Sequence, residues 1–307
     1  MTRVIAVMVV GWVTLSVPPA RAQDSPQAAA DALLAVDRDY STASAATDAV
    51  SGLVAMFAPD VIMPGPPGRL HRGLADVTAS LRSDSDNLDG RVTWIPVRAG
   101  LSADGAHGFT FGFMTHVRTD GTTLPLKYMA YWVKGASGWR VAGYKRARRP
   151  AGEASTAALP SLLPPRLVPA VRDEARQTGL ERNLAEAERA FSDEAQTIGL
   201  GAAFAKWGSA SAVNMGGPTS AGYVVGAEAI GRSVGAGAPG TTSPVEWSTD
   251  VALVASSSDL GISFGYIRPH AAPAAGGLAT GARPPGQPFF TIWHRPDPAA
   301  PWRYIAE

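Results

Sequence analysis

The sequence predicts an α+β protein that consists of two tandem cone-shaped domains, each with three N-terminal helices packed on a curved antiparallel sheet. Three observations support this prediction. In each half, apolar residues at helical spacing come first and alternating apolar residues follow. Turns that contain Gly or Asp separate the alternating runs, as in antiparallel hairpins. Landmarks of the first half return in the same order in the second half, which indicates a duplicated domain.

The duplication is clearest around a repeated phrase, FGF in the first half and FGY in the second. Trp94 lies 17 residues before Phe111, and Trp247 lies 17 residues before Phe264. A Trp, a turn and a Trp-Arg pair close each copy, in WVKGASGWR and in WHRPDPAAPWR. Weaker matches upstream pair Tyr40 with Phe191, Phe57 with Phe204, VIMPGPP with VNMGGPT, and GLADV with GAEAI. The shared order and the identical spacing predict two homologous domains.

The domain boundaries follow from these landmarks. We place the first domain at 26–149 and the second at 180–307. The stretch between them, 150–179, is rich in Ala and Pro and is interpreted as a linker, with its last part entering the first helix of the second domain.

Each copy predicts the same series of elements. In the first copy, helical spacing predicts helices over Ala28–Tyr40 and Asp48–Phe57, and Pro59 ends the second of them. A short strand, VIM, and a third helix, GLADVTASLRS, follow. Four strands complete the copy, in RVTWIPVRAGLS, GFTFGFMTHVRT, LPLKYMAYWVKG and GWRVAGYKR. Since glycine inside a strand marks a bulge, a bend or a close backbone approach, Gly112 and Gly265 indicate such a point in each sheet.

The N-terminus is typical of a secretory signal. A basic residue, an apolar run at 4–17 and small residues at Ala20 and Ala22 predict cleavage after Ala22, at the end of a 1–22 signal peptide, and a periplasmic or secreted protein. An uncleaved anchor is the alternative. No later stretch is apolar enough to span a membrane. The chain has no cysteine, so its stability depends on its hydrophobic cores and not on disulfides.

The charge balance argues against nucleic acid or an anionic membrane as a partner. Without Arg3 and Arg21 of the signal, the 27 Lys and Arg residues become 25, against 26 Asp and Glu. Such a chain has no strong long-range field. The one basic cluster, YKRARR at 144–149, is interpreted as a solvated strand end.

The helix pair, short strand, G-x-x-x-[VI] helix and final W…GWR hairpin resemble the nuclear transport factor 2-like (NTF2-like) superfamily, and within it SnoaL-like and DUF4440-like proteins. LVAMFAPDVIMPGPPGRLHRGLADV carries most of the resemblance. The resemblance implies a pocket between helices and sheet. It also implies pairing of domains through their sheets, so that the two copies would form a fused dimer. Because the superfamily includes isomerases, cyclases, dehydratases and binding-only domains, the fold does not determine the function.

The resemblance also implies where a catalytic base would lie. The general-base Asp of ketosteroid isomerases falls on Gly65 in the first copy and on Gly217 in the second. Since glycine cannot accept a proton, this match argues against an isomerase and, more generally, against an enzyme.

Other polar residues are weaker catalytic candidates. His71 could face either the pocket or solvent. His116 and Asp60 are interpreted as a surface residue at a strand end and a turn or capping residue, respectively. Lys127 and Arg268 could bind an anionic group but are more typical of solvated strand positions, and His270 is expected to be exposed.

The aromatic residues supply the candidates for a ligand pocket, although most of them must also form the cores. They are Tyr40, Phe57, Met63, Trp94, Phe111, Tyr128, Phe191, Phe204, Trp247, Phe264 and Tyr266. No metal-binding spacing of histidines and no nucleotide fingerprint occurs in the sequence, so we predict neither a metal nor a cofactor.

Three functions therefore stay open. The first is non-catalytic binding of a small apolar or amphipathic molecule. The second is a structural or protein-interaction module. The third is a cyclase-, isomerase- or dehydratase-like enzyme that uses a pocket His or Asp.

Overall fold

The computed structural model describes residues 25–66, 68–87, 89–217, 219–270 and 286–307. The predicted signal peptide lies outside the described residues, and so does most of the long loop expected at about 271–288 as a lid or a disordered segment.

The first copy contains three helices and six strands. They are α1 Pro26–Ser44, α2 Ala49–Val54, β1 Phe57–Gly65, β2 Arg69–Arg72, α3 Leu74–Ser83, β3 Arg91–Leu101, β4 His107–Val117, β5 Thr123–Gly135 and β6 Gly138–Arg148. The strands form one sheet in the order β2-β1-β6-β5-β4-β3. Ser25 caps α1 and Asp48 caps α2 through their side-chain oxygens, which satisfy free backbone N–H groups of the first turns.

The second copy repeats this arrangement. Its elements are α4 Glu174–Ile198, α5 Leu200–Trp207, β7 Gly208–Asn214, β8 Val224–Val225, α6 Ala227–Gly235, β9 Val245–Val254, β10 Leu260–Pro269, β11 Gln287–His294 and β12 Arg303–Ala306. The sheet order β8-β7-β12-β11-β10-β9 matches that of the first copy. The predicted α+β fold class with two tandem copies is thus confirmed.

Several details differ from the predictions. The sheets are mixed, because β1 runs parallel to β6 and β7 runs parallel to β12. Helix α2 ends at Val54, and Phe57 begins β1 instead of ending a helix. The short strands β2 and β8 were not predicted. Helix α4 begins at Glu174, so the last part of the 150–179 stretch enters this helix, as the sequence predicted. Within that stretch, the N–H groups of Leu159 and Leu162 donate to β3 carbonyls at 2.7 and 2.9 Å, so the segment covers the edge of the sheet.

Strand pairing corrects two matches between the copies. Ile62 pairs with Gly143, and Val213 pairs with Ala306 at the equivalent place. The stretch VNMGGPT is therefore shifted by one residue relative to the predicted match, and Gly65 corresponds to Gly216. Phe57 and Phe204 are not equivalent either, because Phe57 opens β1 whereas Phe204 lies in α5.

The two strand glycines accommodate a neighbouring backbone, as the sequence predicted. A Cβ on Gly112 would lie 2.0 Å from the Ile95 carbonyl oxygen, and one on Gly265 would lie 1.9 Å from that of Ser248. The pairing register shifts nearby, between Pro96 and Arg98 in one copy and between Phe264 and Gly265 in the other. The repeated phrase thus marks a bulge that bends each sheet.

Buried apolar residues form three clusters. One lies in each cone, between the helices and the sheet. The third combines residues from the outer faces of both sheets, among them Phe111, Phe113, Ile262, Phe264 and Phe290. A Cβ on Gly143 would come within 2.7 Å of the Phe264 ring, so glycine allows the faces to approach.

The hairpin turns of the two copies exchange hydrogen bonds across this contact. Asp104 accepts hydrogen bonds from the Ser256 hydroxyl at 2.7 Å and the Ser257 N–H at 3.2 Å. In return, Asp259 accepts from the Ala103 N–H at 2.8 Å. Carboxylates from equivalent turns therefore satisfy backbone groups of the opposite copy.

Candidate functional site

The candidate site is a cavity of about 220 Å³ inside the cone of the second copy. Its wall is mainly apolar and aromatic, and a few polar side chains interrupt it. The lining residues are Phe191, Leu200, Phe204, Val234, Val245, Trp247, Ile267, Phe289, Phe290 and, as the polar set, Lys145, Glu188, Asn214, Thr291 and Glu307. A mainly apolar concave space with a few polar groups is the usual character of a small-molecule site.

Glu188 projects from α4 and is almost completely buried. The indole N–H groups of Trp247 and Trp293 donate to its two carboxyl oxygens at 2.7 and 3.0 Å, and the Ser263 hydroxyl donates as well. Burial raises the pKa of Glu188 to about 7, although these three hydrogen bonds lower it. With both oxygens occupied, this carboxyl ties α4 to the sheet.

The first copy contains the same arrangement around Asp37. Trp94 donates from its indole N–H to one oxygen at 2.6 Å, and Tyr128 donates from its hydroxyl to the other at 2.7 Å. In both copies the hydroxyl oxygen of a serine one turn later on the helix accepts a hydrogen bond from the backbone N–H of the tryptophan. The distances are 2.6 Å from Trp94 to Ser41 and 2.8 Å from Trp247 to Ser192. Burial raises the pKa of Asp37, too.

The cones differ in what occupies their centre. Tyr128 pairs with Gly112, and Phe289 pairs with Gly265, so these residues are equivalent. Tyr144 and Glu307 are equivalent by their distance from the Trp-Arg pair that closes each copy. Tyr128 and Tyr144 are fully buried in the first cone. In the second cone, Phe289 and Glu307 line the cavity instead.

The polar end of the cavity is built around Glu307. Asn214 donates from its side-chain amide to one carboxyl oxygen of Glu307 at 3.1 Å. Burial raises the pKa of Glu307 to about 8, and the nearby Glu188 adds to this, whereas Lys145 and Asn214 oppose it. Burial therefore favours the protonated form of this carboxyl, which can donate a hydrogen bond.

Lys145 comes from the first copy, so both copies contribute to the cavity. It lies on β6, in the basic cluster that the sequence analysis interpreted as a solvated strand end. Its half-buried side chain lines the second cone, and burial lowers its pKa while Glu307 raises it. Arg146 and Arg148 of the same cluster pair with Asp84 and Asp86. The cluster is therefore not simply a solvated strand end, because Lys145 lines the cavity and the two arginines form ion pairs.

Of the predicted pocket residues, Phe191, Phe204 and Trp247 line this cavity. Four others, Phe57, Met63, Trp94 and Tyr128, pack in the core of the first cone, and Met63 also lines a second cavity of about 200 Å³ in that copy. Tyr40 packs against that core and stacks on Trp132 at 6.0 Å between ring centroids. The remaining three, Phe111, Phe264 and Tyr266, belong to the cluster between the sheets and not to a pocket.

The predicted catalytic candidates do not come together. His116 is fully buried, contrary to the surface position expected for it, and one ring nitrogen contacts the Asp89 carbonyl oxygen. Asp60 is exposed and lies within β1 instead of at a turn or cap. His71 is buried, which settles the alternative between pocket and solvent in favour of the interior.

His71 has neighbours of the kinds found in a catalytic triad, but their geometry opposes that role. Its Nδ1 lies 3.2 Å from Asp76, and its Nε2 lies 3.0 Å from the Ser80 hydroxyl. The Pro66 carbonyl oxygen lies closer to Nε2, at 2.6 Å. Since a carbonyl oxygen only accepts, Nε2 must carry a proton and cannot take one from Ser80. The arrangement joins β2, α3 and the turn after β1.

Two further polar residues were expected to be solvated. Lys127 is instead fully buried, where its ammonium donates to carbonyl oxygens of the second copy, those of Ser220 at 2.7 Å and Gly222 at 3.0 Å, and to that of Met215. His270 is half-buried beside Glu246, at 3.3 Å, rather than exposed.

No cluster of possible metal ligands and no helix long and apolar enough to cross a membrane occurs within the described ranges.

The sequence analysis missed three polar residues of the cavity, Glu188, Glu307 and Lys145. A signal for Glu188 was present, because the match of AVDRDYS with EAERAFS aligns it with Asp37. Lys145 and Glu307 had no such signal, since their meeting depends on how the copies pack and on how one strand ends.

No protein-family model and no curated protein matches the chain. Solved structures similar to it include a ketosteroid isomerase-like protein from Erwinia carotovora atroseptica, with 17% identity over 38% of this chain and 94% of that chain at a TM-score of 0.31. An NTF2-like protein of unknown function from Pseudomonas putida has 14% identity over 44% of this chain and 96% of that chain, at a TM-score of 0.33. A Mycobacterium tuberculosis protein in complex with estradiol-17beta-hemisuccinate has 16% identity over 38% of this chain and 92% of that chain, at a TM-score of 0.29. Several of the solved structures similar to this chain are described as NTF2-like or ketosteroid isomerase-like proteins.

Proposed function

We propose that this protein is exported and binds a small, mainly apolar molecule without transforming it, in the cavity of the second copy. One observation carries the proposal: a cavity of about 220 Å³ remains in the second cone where tyrosines occupy the first. Export is proposed on the signal-like residues 1–22 alone. The first copy serves mainly as a partner that covers the second sheet, and a single compact body in small-angle scattering would support that pairing.

A binding role agrees with how the polar groups are used. The two carboxyl oxygens of Glu188 accept three hydrogen bonds, as expected for a residue that holds the fold together. The equivalent Asp37 likewise accepts hydrogen bonds on both carboxyl oxygens, from Trp94 and from Tyr128, in a cone that tyrosines occupy. This shared arrangement therefore belongs to the architecture, and the apolar wall is left to supply affinity through burial.

The polar end favours an enzyme as a second candidate, since Glu307 and Lys145 both have perturbed pKa values and face one cavity. Recovery of the bound molecule unchanged after prolonged incubation supports binding, whereas its conversion supports the enzyme.

The test is calorimetric titration of the protein with 1-octanol, a neutral apolar probe. The double variant Phe289→Tyr/Glu307→Tyr introduces the two residues that occupy the first cone and should reduce the affinity at least about tenfold, because each 1.4 kcal/mol of lost contact weakens binding by that factor. Tyr128→Phe is the control, since it alters the other cone and leaves the cavity lining unchanged. No binding by the unmodified protein, or undiminished binding by a folded double variant, would contradict the proposal. Leu200→Phe replaces the double variant if circular dichroism shows that it does not fold.

A further inference from the structure

We propose that the natural occupant of the cavity is a short amphiphile with a carboxylate head group, and that Lys145 of the first copy binds this head group. The inference rests on the proposed function and specifies the chemistry of the ligand.

The Lys145 ammonium is available to donate hydrogen bonds to a ligand. Within the described part of the chain its ammonium makes no hydrogen bond and no ion pair, although it faces the cavity. Lys127, one strand away in the same sheet, shows what a satisfied buried lysine looks like here, with three carbonyl acceptors. An ammonium that faces a mainly apolar cavity and has no acceptor of its own is available to an anion bound there.

The other polar groups of the cavity lining leave room for an anion beside Lys145. Glu188 from α4 and Glu307 after β12 are the acidic residues of the cavity lining, and Asn214 and Thr291 are neutral. Burial raises the pKa of the Glu307 carboxyl and so favours its protonated form. A protonated carboxyl donates one hydrogen bond, and only one of its oxygens is engaged by Asn214. Lys145 and Glu307 can therefore both donate to a bound carboxylate.

The size of the cavity and the apolar character of its wall limit the kind of molecule that fits. A dry cavity of about 150 Å³ accepts benzene, so a cavity of this size holds a molecule of roughly ten non-hydrogen atoms. Beyond the polar end, the wall consists of residues such as Phe191, Phe204 and Val234, which suit an alkyl or aryl tail. Octanoate has the required head group and about this size.

The experiment compares sodium octanoate with 1-octanol by calorimetry at pH 7, on the protein, on Lys145→Met and on Lys134→Met, which removes an exposed lysine of β5. Octanoate should bind about tenfold more tightly than octanol, since a charge-assisted hydrogen bond contributes that much. Lys145→Met should remove this preference and leave octanol binding within about twofold, whereas Lys134→Met should change neither. Octanoate binding should also weaken as the pH rises, because Glu307 becomes an anion and Lys145, whose pKa burial lowers, loses its charge; Glu307→Gln should reduce this dependence without removing it.

The outcomes separate the two proposals. If octanol does not bind, the proposed cavity function is wrong. If octanol binds and octanoate has no advantage, or if Lys145→Met weakens both probes equally, only the carboxylate inference is overturned. Should Lys145→Met fail to fold, octylamine hydrochloride replaces the variant as the comparison on the unmodified protein. Tighter binding of octylamine than of octanoate would then overturn the inference, and the reverse order would support it.

Discussion

The two cones share their backbone plan and their buried carboxyl, yet tyrosines fill the centre of the first cone, whereas a cavity occupies the corresponding place in the second. Asp37 and Glu188 hold equivalent tryptophans in equivalent ways. The difference lies at two positions, where Tyr128 and Tyr144 of the first copy become Phe289 and Glu307 in the second. The comparison teaches that the carboxyl–tryptophan bond serves the fold, whereas the residues at the centre of each cone decide whether space remains there.

The largest expected effect tests how firmly the first cone is packed. Tyr128→Ala should lower the free energy of unfolding by about 3–5 kcal/mol, because it leaves a cavity in a packed core and removes a donor to Asp37. Phe289→Ala should cost less, since its ring already borders empty space. Urea denaturation of both variants measures the difference. Equal losses would show that the two cones are packed alike.

The next effect is the pH dependence that Glu188 imposes. In the folded protein its pKa is about 7, against 4.5 for an ordinary glutamate. The native state therefore binds more protons between these values, and stability falls as the pH rises from about 4.5 to about 7. At 1.36 kcal/mol per pKa unit, this group alone should account for about 3 kcal/mol.

Glu188→Gln should flatten the stability profile between pH 5 and pH 7.5 relative to the unmodified protein, because glutamine does not titrate. Glu186→Gln, on the exposed side of the same helix, is the matched control and should leave the slope unchanged. Denaturation at several pH values gives both slopes. Glu188→Gln should retain the part of the slope that Asp37 and Glu307 contribute, since their pKa values are raised, too. An undiminished slope in Glu188→Gln would assign the pH dependence entirely to these other groups.

The sequence predicted the local parts of this fold well. Alternating residues identified the four long strands of each copy, and the equal spacing from Trp94 to Phe111 and from Trp247 to Phe264 identified the repeat. The parallel pairing of β1 with β6 was not predictable in this way, because β1 is interrupted by exposed residues in its middle and does not alternate. Strand pairing over long sequence distances is set by packing rather than by local pattern.

The sequence predicted cavity residues only within the second copy, and it did not predict the residue that the first copy contributes. Phe191, Phe204 and Trp247, which were proposed as pocket residues because they are aromatic, do line the cavity. Lys127 and Lys145 were misread, since a strand lysine is usually solvated and nothing in the sequence shows that a second sheet covers these positions. Phe264 was placed in a pocket although its neighbour Ser263 bonds to Glu188 inside the cone. Because successive side chains of a strand point to opposite faces, Phe264 had to face outward.

The smallest expected effect concerns a single hydroxyl group and distinguishes packing from hydrogen bonding in the comparison of the cones. Tyr128→Phe keeps the ring and removes only the hydrogen bond to Asp37, so it should cost about 1–3 kcal/mol. The reverse change, Phe289→Tyr, adds a hydroxyl to a cone with room for it and should be close to neutral, because both oxygens of Glu188 already have donors. Urea denaturation checks both values. If Phe289→Tyr destabilised the protein as much as Tyr128→Phe does, then the second cone would have no usable space at this position, and the contrast between a filled and an open cone would rest on Glu307 alone.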